Sequence, residues 1–192
     1  FRSSRSPRAL EYRRLHSIPG DLGTAVTVQA MVFGNMGNTS GSGVGFTRDP
    51  ATGENAWYLD FLWTSQGEDV VSGRHAVQDG AAIKARMPTL DRQLRQVCDQ
   101  LERLFCDTQD FEFTIQEGRL YLLQSRAAKR TPWAALRVAC DLVNEDVIDR
   151  RTALARLAEF DLDSLQVTRL ANEHERPPLS VGVPACPGVA IG

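Results

Sequence analysis

No stretch of this 192-residue chain approaches the eighteen or so consecutive apolar residues that a transmembrane helix requires. A soluble domain with no membrane partner is therefore expected. There are no internal repeats. Cysteine is sparse: Cys98, Cys106, Cys140 and Cys186 are widely spaced, with no C-x-x-C pair and no histidine at ligand spacing, which argues against structural zinc. Cys98 falls on an apolar helical stripe and Cys140 in a second helical run. Both read as small buried hydrophobes in a reducing compartment, which makes the cytoplasm the expected location. An excess of positive charge is also missing. Lys and Arg number 22 against 24 Asp and Glu, a formal net charge of −2, so electrostatics alone do not support a nucleic-acid partner. Arg2, Arg5, Arg8, Arg13 and Arg14 make only the N-terminal segment locally basic, as a solvated helix face or a phosphate-side strip.

What is present is ordinary for a folded domain: hydrophobic residues are 42% and charged residues 24% of the chain. Arg8 to Leu15 is compatible with a short helix that follows Pro7 and ends by Pro19-Gly20. Thr24 to Phe33 is rich in β-branched residues and predicts a buried strand. Within it, Gln29 is either a core amide satisfied by backbone or part of a strand whose backbone N–H and C=O groups hold a flat base. Gly34 to Gly43 carries four glycines among its ten residues. It lacks the Lys-Ser/Thr ending of a Walker A loop and the G-x-G-x-x-G register, so it reads as a flexible connection, with phosphate cradling as the minority reading. Val44 to Thr47 predicts a second strand, Arg48 to Gly53 a turn and Ala56 to Trp63 a third strand. Gln66 to Gly73 reads as a loop leading into a short strand or turn. Pro88 opens an amphipathic helix with Leu90, Leu94, Val97, Cys98, Leu101, Leu104 and Phe105 on one face. Helices are expected again over Trp133 to Val147 and Arg151 to Phe160. Arg176-Pro177-Pro178 reads as a linker. His16 and His174 lie in polar surroundings and are expected to be exposed. His75, in a Gly/Gln/Asp-rich loop, is read as a loop residue ahead of a phosphate contact.

The stretch Asp110 to Arg126 predicts a β-hairpin carrying chemistry. Asp110, Glu112, Thr114 and Gln116 alternate with Phe111, Phe113 and Ile115, the period of a half-buried strand, and Leu120 to Arg126 forms the return arm. Directly opposed residues of an antiparallel pair share a face, so loop length decides which side chains meet. A two-residue loop would separate the polar residues of the two arms. A three-residue loop, Gln116-Glu117-Gly118, would place Asp110, Glu112, Gln124 and Arg126 together. Two carboxylates opposed by an amide and a guanidinium suit Mg²⁺ with phosphate, because a hard cation takes oxygen ligands and Arg grips phosphate with a planar fork. The alternative is a solvent-facing hairpin with an Asp110–Arg126 ion pair, worth under about 1 kcal/mol if exposed.

Taken in order, Val28 to Gly37, Ser42 to Glu54, Gln66 to Gly73 and the hairpin resemble the pyruvate, phosphate dikinase family over essentially the whole chain. The hairpin alone also resembles phosphoenolpyruvate synthases and antibiotic phosphotransferases. The Val32-Phe33-Gly34-Asn35-Met36-Gly37 and Phe46-Thr47-Arg48-Asp49-Pro50-Ala51-Thr52-Gly53-Glu54 stretches point to the dikinases. The resemblance implies an α+β fold: the C-terminal half of an ATP-grasp nucleotide-binding domain, a mostly antiparallel sheet with packed helices, then a helical connector. It implies domains at 1–130 and 131–180, with 181–192 a linker into a phosphohistidine domain. ATP and Mg²⁺ are the implied cofactors, with pyruvate and phosphate used by the full-length enzyme. Glu112 and Gln124 resemble the Mg²⁺-ATP ligands with Asp110 beside them, and Arg126 resembles the catalytic residue that neutralises the transferring phosphates. Gln29, Met31 and Val32 resemble the adenine-side hinge, and Glu68 an acid near the nucleotide. Leu59-Asp60, Thr64-Ser65 and Phe111 depart from the family's Gly-Glu, Asn-Ala and Ile. The chain is expected to be a piece of a longer protein. It would lack the partner ATP-grasp subdomain and the phosphohistidine domain, and it is expected not to turn over alone. A non-catalytic nucleotide-sensing module and a phosphotransferase with another acceptor are the alternative readings.

Overall fold

A computed structural model describes residues 2–23, 25–72, 78–158 and 160. His75, His174, Cys186 and the Arg176-Pro177-Pro178 linker lie outside the described residues. The chain divides into two compact units, Phe1–Met31 and Val32–Gly192.

In the first unit a 3-10 turn, Arg2–Arg5, leads into α1, Pro7–Leu15. The start of α1 has a physical cause: Ser6 caps it by accepting from the Ala9 N–H, and Pro7 occupies the first turn, where no donor is needed. No residue of α1 is buried. His16 is exposed as expected, its ring against Tyr12.

The buried strand expected over Thr24 to Phe33 is absent from its described residues. Residues 25–33 have no regular structure, and among them only Val32 is even half-buried. β-branched residues favour a pleated, half-buried surface, yet a strand also needs a neighbour for its backbone groups. No described strand pairs with this segment; within the second unit the Phe33 N–H is taken by the Gln116 side chain at 2.8 Å.

The second unit is built on a four-stranded antiparallel sheet in the order β2-β1-β3-β4. Its strands are β1 Gly41–Phe46, β2 Tyr58–Trp63, β3 Gln109–Gln116 and β4 Arg119–Ala127. With its helices this is the expected α+β class with an antiparallel sheet. One face packs on the amphipathic helix α4, Pro88–Phe105. Leu59, Phe61, Phe111, Phe113 and Ile115 of the sheet meet Leu90, Leu94, Cys98 and Leu101 of α4 and Ile83 of the short α3, Gly80–Arg86. Burying this layer stabilises the fold by about 25 cal/mol per Å² of apolar surface removed from water. Leu104 and Phe105, placed by periodicity on the same stripe, are instead exposed. They lie in the last turn of α4, just before Cys106 reverses the chain with a left-handed φ of 52°.

The glycines of β1 belong to this packing. Gly41, Gly43 and Gly45 all point to the core face, where rings and methyls of neighbouring strands fill the space that side chains would need. A Cβ on Gly43 would sit 2.5 Å from Phe113 Cζ. The connection before β1, read from composition as flexible, is tied down. Ser40 is fully buried, and its hydroxyl accepts from the Glu117 N–H at 2.9 Å and donates to the Met36 carbonyl. The Gly118 N–H donates to Thr39 O at 3.0 Å. Gln66 to Gly73, expected as a loop, contains the short helix α2, Gly67–Val71; Asp69 accepts from the Gln66 N–H at 2.9 Å at its start.

Two further helices follow the sheet, α5 Pro132–Asn144 and α6 Arg150–Leu157. Ala134, Ala135, Val138, Ala139 and Leu142 form the buried stripe of α5. Cys140, expected to be buried, lies two residues past Val138 and so faces away from that stripe, exposed. Cys98 is buried as expected, and burial, with Glu102 and Asp99 nearby, pushes its thiol up to about 12.

Arg48 fastens α4 and α5 to the end of β1. Its guanidinium is almost wholly buried and donates to both Glu102 carboxylate oxygens and to Glu145 Oε2 at 2.6 Å, with Asp141 at 3.8 Å. Burial works against the charge, but the hydrogen bonds Arg48 donates to Glu102 and Glu145, together with the charges of those carboxylates, outweigh it and hold Arg48 protonated. The expected turn after Arg48 is present. Asp49 accepts from the Ala51 and Thr52 N–H groups, and Gly53 closes the turn at φ 74°, pressed against the Ala134 backbone.

Candidate nucleotide and metal face

The hairpin turn has two residues, not three. Gln116 pairs with Arg119, and both loop residues are left-handed, Glu117 at φ 49° and Gly118 at φ 80°. This is the backbone of a type I′ turn, whose twist matches that of the strands it joins. A regular ladder from that turn would set Leu123 opposite Glu112 and Ser125 opposite Asp110. The pairing instead slips between Glu112 and Phe113, so that Phe113 opposes Leu122 while Glu112 opposes Gln124 and Asp110 opposes Arg126. Leu123 is the unpaired residue, a β-bulge. The expected juxtaposition is therefore present, but the parity change comes from a bulge in β4 rather than from an odd loop.

The registers extend these pairs across the sheet. Asp60, Val44, Glu112 and Gln124 form one cross-strand row, and Tyr58, Phe46, Asp110 and Arg126 the next. Both rows lie on the face opposite the α4 core. Asp110 and Glu112 are half-buried, while Gln124 and Arg126 are exposed. Arg126 Nε donates to Asp110 Oδ2 at 2.7 Å. That hydrogen bond first, then the charges of Asp110 and Glu112, raise the Arg126 pKa further. Its side chain is 65% exposed, so the ion pair is screened and free to exchange for another anion.

Asp60 and Tyr58 share this face. Burial raises the Asp60 carboxyl, against a smaller opposing effect of its hydrogen bond with Tyr58, and the Tyr58 phenol is raised by burial and then by Asp60. In the sequence Asp60 stands out only as a departure from the family's Glu. The usable signal is register: Asp60 and Glu112 both flank Val44.

The other candidates are distributed more widely. Glu68 is exposed in the first turn of α2, which packs near β1 and β2. Val32 is half-buried at the start of the second unit. Gln29 and Met31 are exposed residues of the first unit. Among the described residues, no group of three or more His, Cys, Asp or Glu side chains is arranged to hold a metal. A cation on the hairpin would rest on the carboxylates of Asp110 and Glu112, the Gln124 amide oxygen and oxygens of its own ligand. All of these are hard donors, the set that Mg²⁺ takes in nucleotide sites. No described helix is long and apolar enough to cross a membrane.

Residues 1–96 match the family model described as the pyruvate phosphate dikinase, AMP/ATP-binding domain. The hairpin lies beyond that match, but the relatives align with the whole chain. The chain is 48% identical to the chloroplastic pyruvate, phosphate dikinase of Flaveria pringlei, 47% to the pyruvate, phosphate dikinase of Clostridium symbiosum and 43% to that of Rhizobium meliloti (strain 1021). All of this chain is covered in each case, against 20%, 22% and 23% of those proteins, so the chain spans about a fifth of the length of the curated relatives it matches. By the family-model match, the first half of the chain resembles an AMP/ATP-binding domain. The chain belongs to the pyruvate phosphate dikinase family, and its residues 1–96 match the AMP/ATP-binding domain of that family.

Proposed function

We propose that the chain is the ATP- and Mg²⁺-binding portion of a pyruvate, phosphate dikinase-like phosphotransferase, the C-terminal half of an ATP-grasp domain followed by a helical connector from residue 131. The whole enzyme would convert ATP, pyruvate and phosphate to AMP, phosphoenolpyruvate and diphosphate through a phosphohistidine outside this chain. Family membership and the names of the relatives support the reaction. The observation that carries the local reading is the shared face of Asp110, Glu112, Gln124 and Arg126, set by the β4 bulge.

Each residue on that face has a role that follows from its chemistry. Glu112 and Gln124, with Asp110, would hold Mg²⁺, which supplies charge neutralisation along the phosphates when bound. Arg126, exposed and held by only one carboxylate contact, turns its planar fork to the transferring phosphate and balances the charge that develops there. Gln29, Met31 and Val32 are assigned to the adenine and Glu68 to the nucleotide. The partner ATP-grasp subdomain and the phosphohistidine domain are assigned to a longer polypeptide, so the purified chain is not expected to phosphorylate pyruvate. Free Cys98, Cys106 and Cys140 suit a reducing compartment such as the cytoplasm.

Calorimetric titration with MgATP tests this reading. The wild-type chain is expected to give a binding isotherm that Glu112→Ala abolishes or weakens at least tenfold, the loss of about one charge-assisted contact. Unchanged binding in Glu112→Ala refutes the metal-site assignment.

A further inference from the structure

Away from the hairpin face, three guanidiniums gather where β3 begins and α6 passes. Asp107, Arg130, Arg151, Thr152, Arg156 and Phe160 line an open cleft of about 570 Å³. Among the described residues, Asp107 is the only acid lining it. Arg130 holds Asp107 with two nitrogens, at 2.8 and 3.2 Å, and donates to Thr108 Oγ1. Arg156 donates to the Cys106 carbonyl at 2.8 Å and stands 3.6 Å from the same Asp107 carboxylate. Asp149, just outside, is occupied in accepting from the Thr152 N–H at 2.7 Å. Arg151 has no hydrogen bond or ion pair among the described residues. Among the described residues that line the cleft, three guanidiniums face one carboxylate.

We propose that this cleft binds a phosphate group, as inorganic phosphate or at the end of a small phosphomonoester. Like charges brought together repel unless an anion sits among them. Guanidinium forks also match the geometry of phosphate oxygens better than any other side chain does. The division of labour supports a formed site. Arg130 and Arg156 are fixed by Asp107 and by backbone, so their orientation requires no ordering on binding. Among the described residues, Arg156 Nε and Nη2 have no partner, Arg151 keeps its whole fork, and Thr152 lines the same cleft. Phe160 gives the cleft an apolar side that suits an organic group attached to the phosphate. This site shares no residue with the hairpin face and does not depend on the function proposed for it.

The test follows arginine Nε–Hε signals of the full chain by NMR while titrating inorganic phosphate, and separately phenyl phosphate. The signals of Arg151 and Arg156 are expected to shift saturably. Arg151→Gln should weaken binding by about tenfold or more, as loss of a charge-assisted contact predicts. Arg126→Gln should leave these shifts unchanged. Arg151 is exposed, so an unchanged melting temperature separates a binding defect from a folding one. Tighter binding of phenyl phosphate would identify a phosphomonoester site, and equal binding a free-phosphate site. No saturable shift at Arg151 and Arg156, or binding that survives Arg151→Gln and disappears in Arg126→Gln, overturns the proposal.

Discussion

Glu112 and Gln124 stand directly opposite each other on the β3–β4 ladder, and the register slips immediately beyond them at Leu123. The extra residue reconciles a two-residue turn with a pairing that such a turn would not otherwise allow. Deleting Leu123 should therefore leave Glu112 opposite Gln124 in a regular ladder. Cross-strand nuclear Overhauser contacts between these two residues in the deletion variant are the expected result; their loss would show that Leu123 is not the residue absorbing the offset.

Arg48 carries the one side-chain nitrogen among the described residues, Nη1, that is buried without a hydrogen-bond partner. Its other nitrogens hold Glu102 and Glu145. Arg48→Ala would leave Glu102, on the buried side of α4, as an uncompensated charge and cut the tie to α5. A loss of about 3–5 kcal/mol is expected in chemical denaturation, the usual cost of breaking one side of a buried pair.

Gly43 is expected to tolerate no side chain. Gly43→Ala would drive a methyl into the Phe113 ring and to within 3.0 Å of the Asp60 carbonyl. Overpacking of this kind costs about 1–3 kcal/mol, read as a lower melting temperature.

Asp60 gives a pH signature. Burial raises its folded-state pKa, so its contribution favours folding while protonated and is lost as pH rises through that value. Asp60→Asn removes the ionisation. The variant should melt above wild type at pH 7, with the advantage fading as pH falls through the raised folded-state value and gone below the ordinary aspartate value of about 4. A difference independent of pH would contradict the burial effect.

Periodicity made much of this legible. The alternation from Asp110 to Gln116 and the apolar stripe from Leu90 to Leu101 each depend on local chain geometry, and both elements fold as that geometry dictates. What escaped depends on pairing and tertiary fit. Glycine composition over Gly34 to Gly43 suggests flexibility, whereas Gly41 and Gly43 lie in β1, where rings from β2 and β3 fill the space of the missing side chains. The β-branched segment before Phe33 has the residues of a strand but no described neighbour. The turn type followed from Glu117 taking a left-handed conformation that composition did not mark, and a bulge has no sequence signal other than the side chains it realigns.

The most direct test of the nucleotide face uses Mn²⁺ in place of Mg²⁺ with ATP and follows backbone amide signals of the chain by NMR. If Asp110, Glu112 and Gln124 hold the cation, their signals broaden first and strongly, while those of Leu94 and Ala139, buried among the helices, stay sharp. Broadening that spares Glu112 and Gln124, or none at any MnATP concentration, would contradict the central claim that the bulged hairpin is the cation and phosphate face of the protein.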